Sequence, residues 1–263
     1  HINNGGYPAS VNCRIMVFIA SLLHRKCVMH VNNQAVKQRF FEPYVDRFIS
    51  QKVSCFIVAS KLAKHSLLVN RHFDNNKISI VPNAVKEESI KISREELLSS
   101  YGISSDKIVV LELAFLQYRK GQRFLIEAIE KIKEETSLLG SKLHLILSGS
   151  GEDEQVLKEM VKSKNMGGMV TFTGYCNNPI DFINAADIFA LPSVANEDMP
   201  LVILSAMKLG KPIVATNFAG IQEEIESGVS GILIEPNEQT IVDNLVHVLI
   251  EMSHCNNIWG KNA

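Results

Sequence analysis

Short, continuously apolar runs alternate with longer stretches of helical period along the whole chain, and few folds accommodate that alternation. Runs such as Val109-Val110-Leu111 carry no polar residue at every second position. That is the pattern of strands buried on both faces of a parallel sheet. Strands are expected at 27–31, 54–59, 78–81, 108–113, 143–147, 170–173, 188–191, 213–215 and 231–234. Helices are expected near 11–24, 35–52, 61–69, 94–101, 121–135, 152–164, 179–186, 200–209, 219–227 and 238–252. A parallel strand pair needs a crossover, usually a helix. Strict alternation with short loops therefore predicts an α/β chain of doubly wound, Rossmann-like sheets.

Helix punctuation agrees with this reading. In Gly121–Glu135 the apolar Phe124, Leu125, Ala128, Ile129 and Ile132 recur at helical spacing and leave Glu127, Glu130, Lys131 and Glu134 for solvent. Pro200 suits the first turn of a helix that Gly210 closes. Residues 83–93 are charged and aperiodic, the best linker in the chain, and divide it into an N-terminal part, 1–93, and a C-terminal part, 94–263. Three strands precede the linker and six follow it. Three are few for a complete Rossmann-like domain, and the sequence opens on His1-Ile2-Asn3-Asn4 without an initiator Met. The N-terminal domain is therefore expected to be incomplete.

Composition excludes several classes. Hydrophobic residues at 46% and charged ones at 21% match a globular protein with a real core, not a disordered chain. The longest apolar run, Ile15 to Leu23, is too short to span a bilayer, and no signal-peptide layout is visible. The five cysteines (Cys13, Cys27, Cys55, Cys176 and Cys255) are odd in number and lack C-x-x-C spacing, so buried thiols and a reducing, cytoplasmic compartment are expected. The net charge of −1 is unevenly spread: residues 1–100 hold 14 Lys and Arg against 7 Asp and Glu, and residues 101–263 hold 13 against 21. The basic half either faces an anionic partner, such as a membrane leaflet or an anionic acceptor, or is simply an uneven solvated surface.

In open α/β sheets, ligands bind beyond the carboxyl ends of the strands. Three polar turns of the C-terminal part fall there. The first is Leu116-Gln117-Tyr118-Arg119-Lys120-Gly121, where Lys120 stands near a positive helix end and Gly121 lets a phosphate approach the backbone. The same residues also make an ordinary exposed basic turn. Ser148-Gly149-Ser150-Gly151 is the second, either a phosphate-approach turn or a plain strand-to-helix turn. The third runs from Leu191 to Val202 and carries Glu197 and Asp198 just before a helix. A carboxylate there accepts hydrogen bonds from sugar hydroxyls or caps the helix, and capping is the simpler account of it alone.

As an ensemble these turns are more specific. Lys120-Gly121, Gly149-Ser150-Gly151, Phe172-Thr173-Gly174, Ala186-Asp187, Pro192-Ser193, Glu197, Pro200-Leu201-Val202, Ala206-Met207, Gly210-Lys211-Pro212-Ile213-Val214-Ala215, Gly220 and Gly231 occur in one order with one spacing. The set resembles the retaining glycosyltransferases of family 4, which have the two-domain GT-B fold, from about residue 107 to 253. Residues 1–8, Val28–Asn32, Val58–Ser60 and Ile80–Val85 resemble the same family less sharply. The resemblance implies that Lys120 contacts the donor diphosphate and that Glu197 binds hydroxyls of the donor sugar. It implies that amides around Leu201 and Val202 hold the diphosphate without a metal, and that Gly149 and Gly151 leave room for nucleotide or phosphate. His30 would lie near the anomeric centre, unless it is only a strand-end histidine with a structural hydrogen bond, and Gly5-Gly6 would line a cleft.

The chain also departs from the family pattern. The second glutamate of the family's pair, which binds the nucleotide ribose, is here Ser205, and the family's Gly-Arg ahead of the lysine is here Ala114-Phe115. The implied function is transfer of a sugar from a nucleotide-diphosphate donor to a saccharide or lipid-linked acceptor, in surface-polysaccharide assembly. No cofactor, metal or nucleic acid is expected. The alternatives are a binding-only relative that has lost catalysis and a sugar-nucleotide epimerase on the same fold, against which the segment Pro192–Val202 argues.

Overall fold

The computed structural model describes residues 1–8 and 10–254. The chain forms two compact units. The first comprises His1–Ala84 with Asn196–Pro200 and Ala219–Glu223; the second comprises Val85–Ala195, Leu201–Phe218 and Glu224–Ala263. Residues 81–93 form neither helix nor strand.

The first unit is a parallel sheet of β1 (Ile2–Asn4), β2 (Cys27–Val31), β3 (Val53–Val58) and β4 (Ile78–Ile80), in spatial order β1-β2-β3-β4. Between the strands run α1 (Val11–Leu22), α2 (Glu42–Lys52) and α3 (Lys61–Arg71). Met29, Val31, Phe56, Val58, Ile49 and Leu67 form its core. Ser60 caps α3 by accepting a hydrogen bond from the Ala63 amide. A charged network is buried beside the core: Arg71 pairs with Glu42 at 2.6 Å and Asp46 at 3.1 Å, and the Tyr7 hydroxyl donates to Asp46 at 2.8 Å. Burial, reinforced by the Asp46 carboxylate, pushes the Tyr7 phenol far above its ordinary pKa.

The second unit holds β5 (Ile108–Leu113), β6 (Leu143–Ser148), β7 (Val170–Gly174), β8 (Ile188–Leu191), β9 (Ile213–Thr216) and β10 (Ile232–Ile234). All pair in parallel, in the order β10-β9-β8-β5-β6-β7. Its helices are α4 (Arg94–Ser100), α5 (Gln122–Glu135), α6 (Ser137–Lys142), α7 (Glu154–Ser163), α8 (Pro179–Ala185), α9 (Leu201–Lys208), α10 (Ile221–Glu224, whose first residues belong to the first unit) and α11 (Ile241–His254). α4 opens with a capping box: Ser93 accepts from the Glu96 amide and the Glu96 carboxylate accepts from the Ser93 amide. Every residue of β6, β8 and β9 is buried, as strands covered on both faces require.

The α/β class with parallel sheets is the expected one, and three elements differ from expectation. β1 is an additional strand, so four strands rather than three precede residue 93; its sequence, Ile-Asn-Asn, offers no apolar run to detect. The helix expected from 35 begins only at Glu42, because Pro43 starts it and the Ala35 amide is committed to the Ser66 hydroxyl. α6 is additional; it presses Gly140 so closely on α5 that a Cβ there would lie 2.5 Å from the Lys133 Cα. Among the described residues Cys13, Cys27, Cys55 and Cys176 are free thiols, and no helix is long and apolar enough to cross a membrane. Cys255 lies outside the described residues.

Candidate functional site

In the second unit the chain runs outward from β5 through β6 to β7, then returns to the other side of β5 for β8 to β10. The switch point lies between β5 and β8, where an open sheet leaves a crevice at its carboxyl edge. The loops leaving β5, β6 and β8 meet there. The Val194 amide donates to the Arg119 carbonyl at 2.8 Å, which joins the β8 loop to the β5 loop. Gly121, at φ 86°, packs so tightly that a Cβ would lie 2.2 Å from the Pro192 carbonyl oxygen. The Leu116 amide donates to Ser150 O at 3.0 Å, and the Asp153 amide to Leu116 O at 3.1 Å, which joins the β5 and β6 loops.

Lys120 lies in this rigid turn, half-buried, two residues before the first residue of α5. Gly149 and Gly151 stand in the adjoining loop. A Cβ on Gly149 would lie 2.0 Å from Ala114 O and one on Gly151 2.1 Å from Leu116 O. What these glycines make room for in the structure is the neighbouring β5 loop. The structure also draws attention to Arg119. Phe115, at the position of the family's arginine, is exposed, but Arg119 supplies a second cation in the Lys120 turn, its Nε bonded to Gln117 at 3.0 Å. Adjacency to Lys120 was the signal available in the sequence.

Leu201, Val202 and Ser205 lie together on α9. Leu201 and Val202 open the helix, where first-turn amides have no intrahelical acceptor. The Ser205 hydroxyl donates to the Leu201 carbonyl at 3.0 Å, so its proton is engaged within the helix. Glu112, buried near the end of β5, accepts a hydrogen bond from Gln122 at 2.9 Å; Gln122 also donates to Phe115 O at 3.1 Å and so fixes the β5 loop from beneath.

The first unit carries His30, Gly5, Gly6 and Glu197. Gly5 and Gly6 follow β1; Gly5 is exposed, and a Cβ on it would meet nothing within 4 Å. His30 is the fourth residue of β2, opposite Asn3 and Ile57. Its Nε2 is buried and makes no hydrogen bond, so that atom does not serve a structural bond. Past the end of β2, Asn33 donates to the Asn196 carbonyl at 3.1 Å, which ties the β2 loop to the segment carrying Glu197. Glu197 and Asp198 are both buried.

The Asp198 carboxylate accepts the Ser60 hydroxyl, and its Oδ2 is buried without a partner. Burial pushes the Asp198 pKa up to about 6; the Ser60 hydrogen bond opposes that rise, and the Glu223 and Glu197 carboxylates reinforce it. Glu223 accepts from the Lys61 and Leu62 amides at 2.9 Å, a carboxylate on the positive end of α3. Lys120, Gly149 and Gly151 thus come together at one edge of the second sheet, and His30 and Glu197 belong to the first unit. Among the described residues no group of three or more His, Cys, Asp or Glu is arranged to hold a metal.

Comparison with known proteins gives this arrangement its relatives. The chain is 28% identical over 222 residues to an uncharacterized glycosyltransferase of Methanocaldococcus jannaschii, covering 81% of this chain and 54% of that protein. It is 25% identical to the alpha-D-kanosaminyltransferase of Streptomyces kanamyceticus, covering 98% of this chain and 67% of the relative. The chain spans little more than half the length of the first two curated relatives, 54% and 56%. The crystal structure of Anabaena HepE in complex with UDP-glucose superposes with a TM-score of 0.79 at 22% identity, covering 97% of this chain and 71% of that one. That similarity establishes a shared fold, the GT-B fold of glycosyltransferases. The family model for Glycosyl transferases group 1 matches residues 93–263, well over half the sequence, and the chain belongs to that family.

Proposed function

We propose that this chain is the donor-binding part, with a portion of the acceptor-binding part, of a retaining glycosyltransferase of family 4. It takes a sugar from a nucleotide-diphosphate donor, without a metal, and passes it to a saccharide or lipid-linked acceptor in surface-polysaccharide assembly. Residues 1–93 serve the acceptor side and residues 94–263 the donor side, at the cytoplasmic face of a membrane. The observation that carries the reading is the Arg119-Lys120-Gly121 turn at the β5/β8 switch point, held by the Val194 amide and by Gly121 against Pro192.

In the transfer the bond between the anomeric carbon and the diphosphate oxygen breaks, and its electron pair leaves with the diphosphate. The acceptor oxygen bonds the same face of that carbon, and its proton passes to the leaving phosphate. Lys120, Arg119 and the first amides of α9 at Leu201 and Val202 stabilise the charge that builds on the diphosphate. Glu197 accepts hydrogen bonds from hydroxyls of the donor sugar, and His30 lies on the acceptor side of the anomeric centre. The solved complex with UDP-glucose among the fold relatives supports a donor of this chemical class.

A thermal-shift panel of UDP, GDP, ADP, CMP and their sugar conjugates tests the reading. A ligand at 100 times its Kd stabilises by about 2.7 kcal/mol, or roughly 5–11 °C in a domain of ~150–250 residues. One nucleotide is expected to shift the parent and not Lys120→Ala. A second reading, a binding-only relative, is favoured by Ser205, whose hydroxyl is turned into its own helix, and by the exposed Phe115. Nucleotide binding without turnover in the longest natural form of the polypeptide selects that reading; no shift with any nucleotide rejects both.

A further inference from the structure

The outer surface of the first unit carries a feature that sugar transfer does not use. Helix α1 reads Val-Asn-Cys-Arg-Ile-Met-Val-Phe-Ile-Ala-Ser-Leu, with Arg14 its sole charge. Val17, Cys13 and Ala20 face the core. A surface helix normally turns polar residues outward, and one that is apolar all round is normally covered. Here the outward stripe Val11, Ile15, Phe18 and Leu22, at spacings of four, three and four, is exposed, widened by Met16, Ile19 and Leu23. A hollow of about 560 Å³ runs between this stripe and Tyr44, Val45 and Phe48 of α2. Phe40, Phe41 and Tyr44 stand 88%, 76% and 79% exposed just before and within the first turn of α2. A contiguous apolar surface of this kind marks an interaction site.

Charge selects the occupant. Residues 1–84 hold eleven Lys and Arg against three Asp and Glu. Two of the three acids, Glu42 and Asp46, are spent on the buried Arg71. Exposed Arg25 and Lys26 follow α1, and exposed Arg39, Arg47 and Lys52 lie just before and along α2. The Lys52 ammonium lies 6.0 Å from the centre of the Phe48 ring, so a cation stands beside the apolar surface. A second copy would set cations against cations. An anionic bilayer takes up the apolar stripe and the basic rim together.

We propose that the α1–α2 face inserts Ile15, Phe18 and their neighbours into the surface of an anionic membrane while the basic rim binds lipid headgroups. This deepens the lipid-linked-acceptor reading and rests on it only for the choice of partner, since it would bring the acceptor-side unit to the bilayer. The test is flotation with vesicles of equal phosphatidylglycerol and phosphatidylcholine, beside pure phosphatidylcholine. The parent is expected to float with the anionic vesicles only and to keep part of its binding at 0.5 M salt. Ile15→Ser with Phe18→Ser is expected to lower partitioning at least tenfold, with an unchanged circular dichroism spectrum and nucleotide thermal shift. Arg25→Glu with Lys26→Glu is expected to lower it severalfold.

Absence of parent binding, or binding that the Ile15 and Phe18 substitutions leave intact, overturns the proposal. So does a concentration-dependent dimer that those substitutions abolish, or loss of vesicle binding in a longer natural form, which would mean that protein covers the face. Donor binding is read separately by the thermal shift, so failure here leaves the glycosyltransferase reading standing.

Discussion

The two units solve the same architectural problem with different materials. The second buries whole strands, β6, β8 and β9, among aliphatic side chains and closes its carboxyl edge with loops packed backbone to backbone. The first has four strands, with three-residue strands at both edges, and places an ion-pair network beside a smaller core. Aliphatic packing loses only the transfer and cavity terms when one residue is cut. A buried ion network fails sharply when one charge is removed and the others remain. The second unit should therefore tolerate single changes in proportion to volume, and the first should not.

The largest expected effect tests that contrast at Arg71. Its side chain is fully buried and pairs with Glu42 and Asp46. Arg71→Met keeps most of the volume and strands the Asp46 carboxylate, at a cost of about 3–5 kcal/mol. Hydrogen exchange resolved by segment should show lost protection in β2, β3 and α3 with β5, β6 and β8 unchanged. Arg71→Met with Asp46→Asn should recover part of the loss. A single substitution that costs less than about 1 kcal/mol by urea unfolding would mean that the network adds little, and that the units are stabilised alike.

Acid should separate the units by sign. His144, on β6, is buried with Nε2 2.9 Å from the Thr171 hydroxyl, and burial, with Lys107 second, pushes its pKa down to about 4. A lowered histidine pKa means that the folded state binds the proton more weakly than the unfolded one. Its contribution is full above the unfolded value near 6.5 and fades as pH falls toward 4, a loss of about 3 kcal/mol in the second unit. Asp198 runs the other way, its carboxyl raised by burial to about 6. The folded first unit holds that proton more tightly, so the Asp198 contribution is most favourable below about pH 4. It is lost as pH rises through 6, by about 2–3 kcal/mol. His144→Gln should flatten the slope of the second unit and Asp198→Asn that of the first, each measured against the parent from pH 4 to 7.5. Slopes of the same sign in both units would refute these assignments.

The same contrast explains what was legible in the sequence. Continuous apolar runs such as Val109-Val110-Leu111 announce buried strands, so the second sheet emerges strand for strand. The Ile-Asn-Asn of β1 carries no such pattern, because its strand conformation comes from pairing with Met29, His30 and Val31. Pro43 is a readable break in the helix expected from residue 35. Lys120 in the second unit and Glu197 in the first each stand in a recognisable local segment, which is why the sequence singles them out. The Ser60–Asp198 bond spans 138 residues, and the amides that Glu223 accepts lie about 160 residues away. Neither pairing leaves a local mark. Gly149 and Gly151 were legible as glycines, but that their missing Cβ atoms leave space for the Ala114 and Leu116 carbonyls needed the coordinates.

The smallest effect contrasts one glycine from each unit. Gly121 holds φ 86°, and a Cβ on it would lie 2.2 Å from the Pro192 carbonyl oxygen. Gly5 is exposed, carries no left-handed φ, and a Cβ there would meet nothing within 4 Å. Gly121→Ala should cost about 2 kcal/mol, because a left-handed backbone and a carbonyl that cannot withdraw act together. Gly5→Ala should be neutral, or stabilising by up to about 1 kcal/mol through the unfolded chain. The functional readout need not follow stability. If Gly5 lines a cleft for the acceptor, Gly5→Ala leaves unfolding unchanged and raises the acceptor KM with the donor thermal shift intact. Gly121→Ala acts on the proposed donor side, where moving the β5 loop from Pro192 is expected to displace Lys120 and abolish the nucleotide shift even at temperatures where the protein is fully folded. Equal effects of the two substitutions on donor binding would show that the β5–β8 turn has no special place in the site, and the proposed role of Lys120 would go with it.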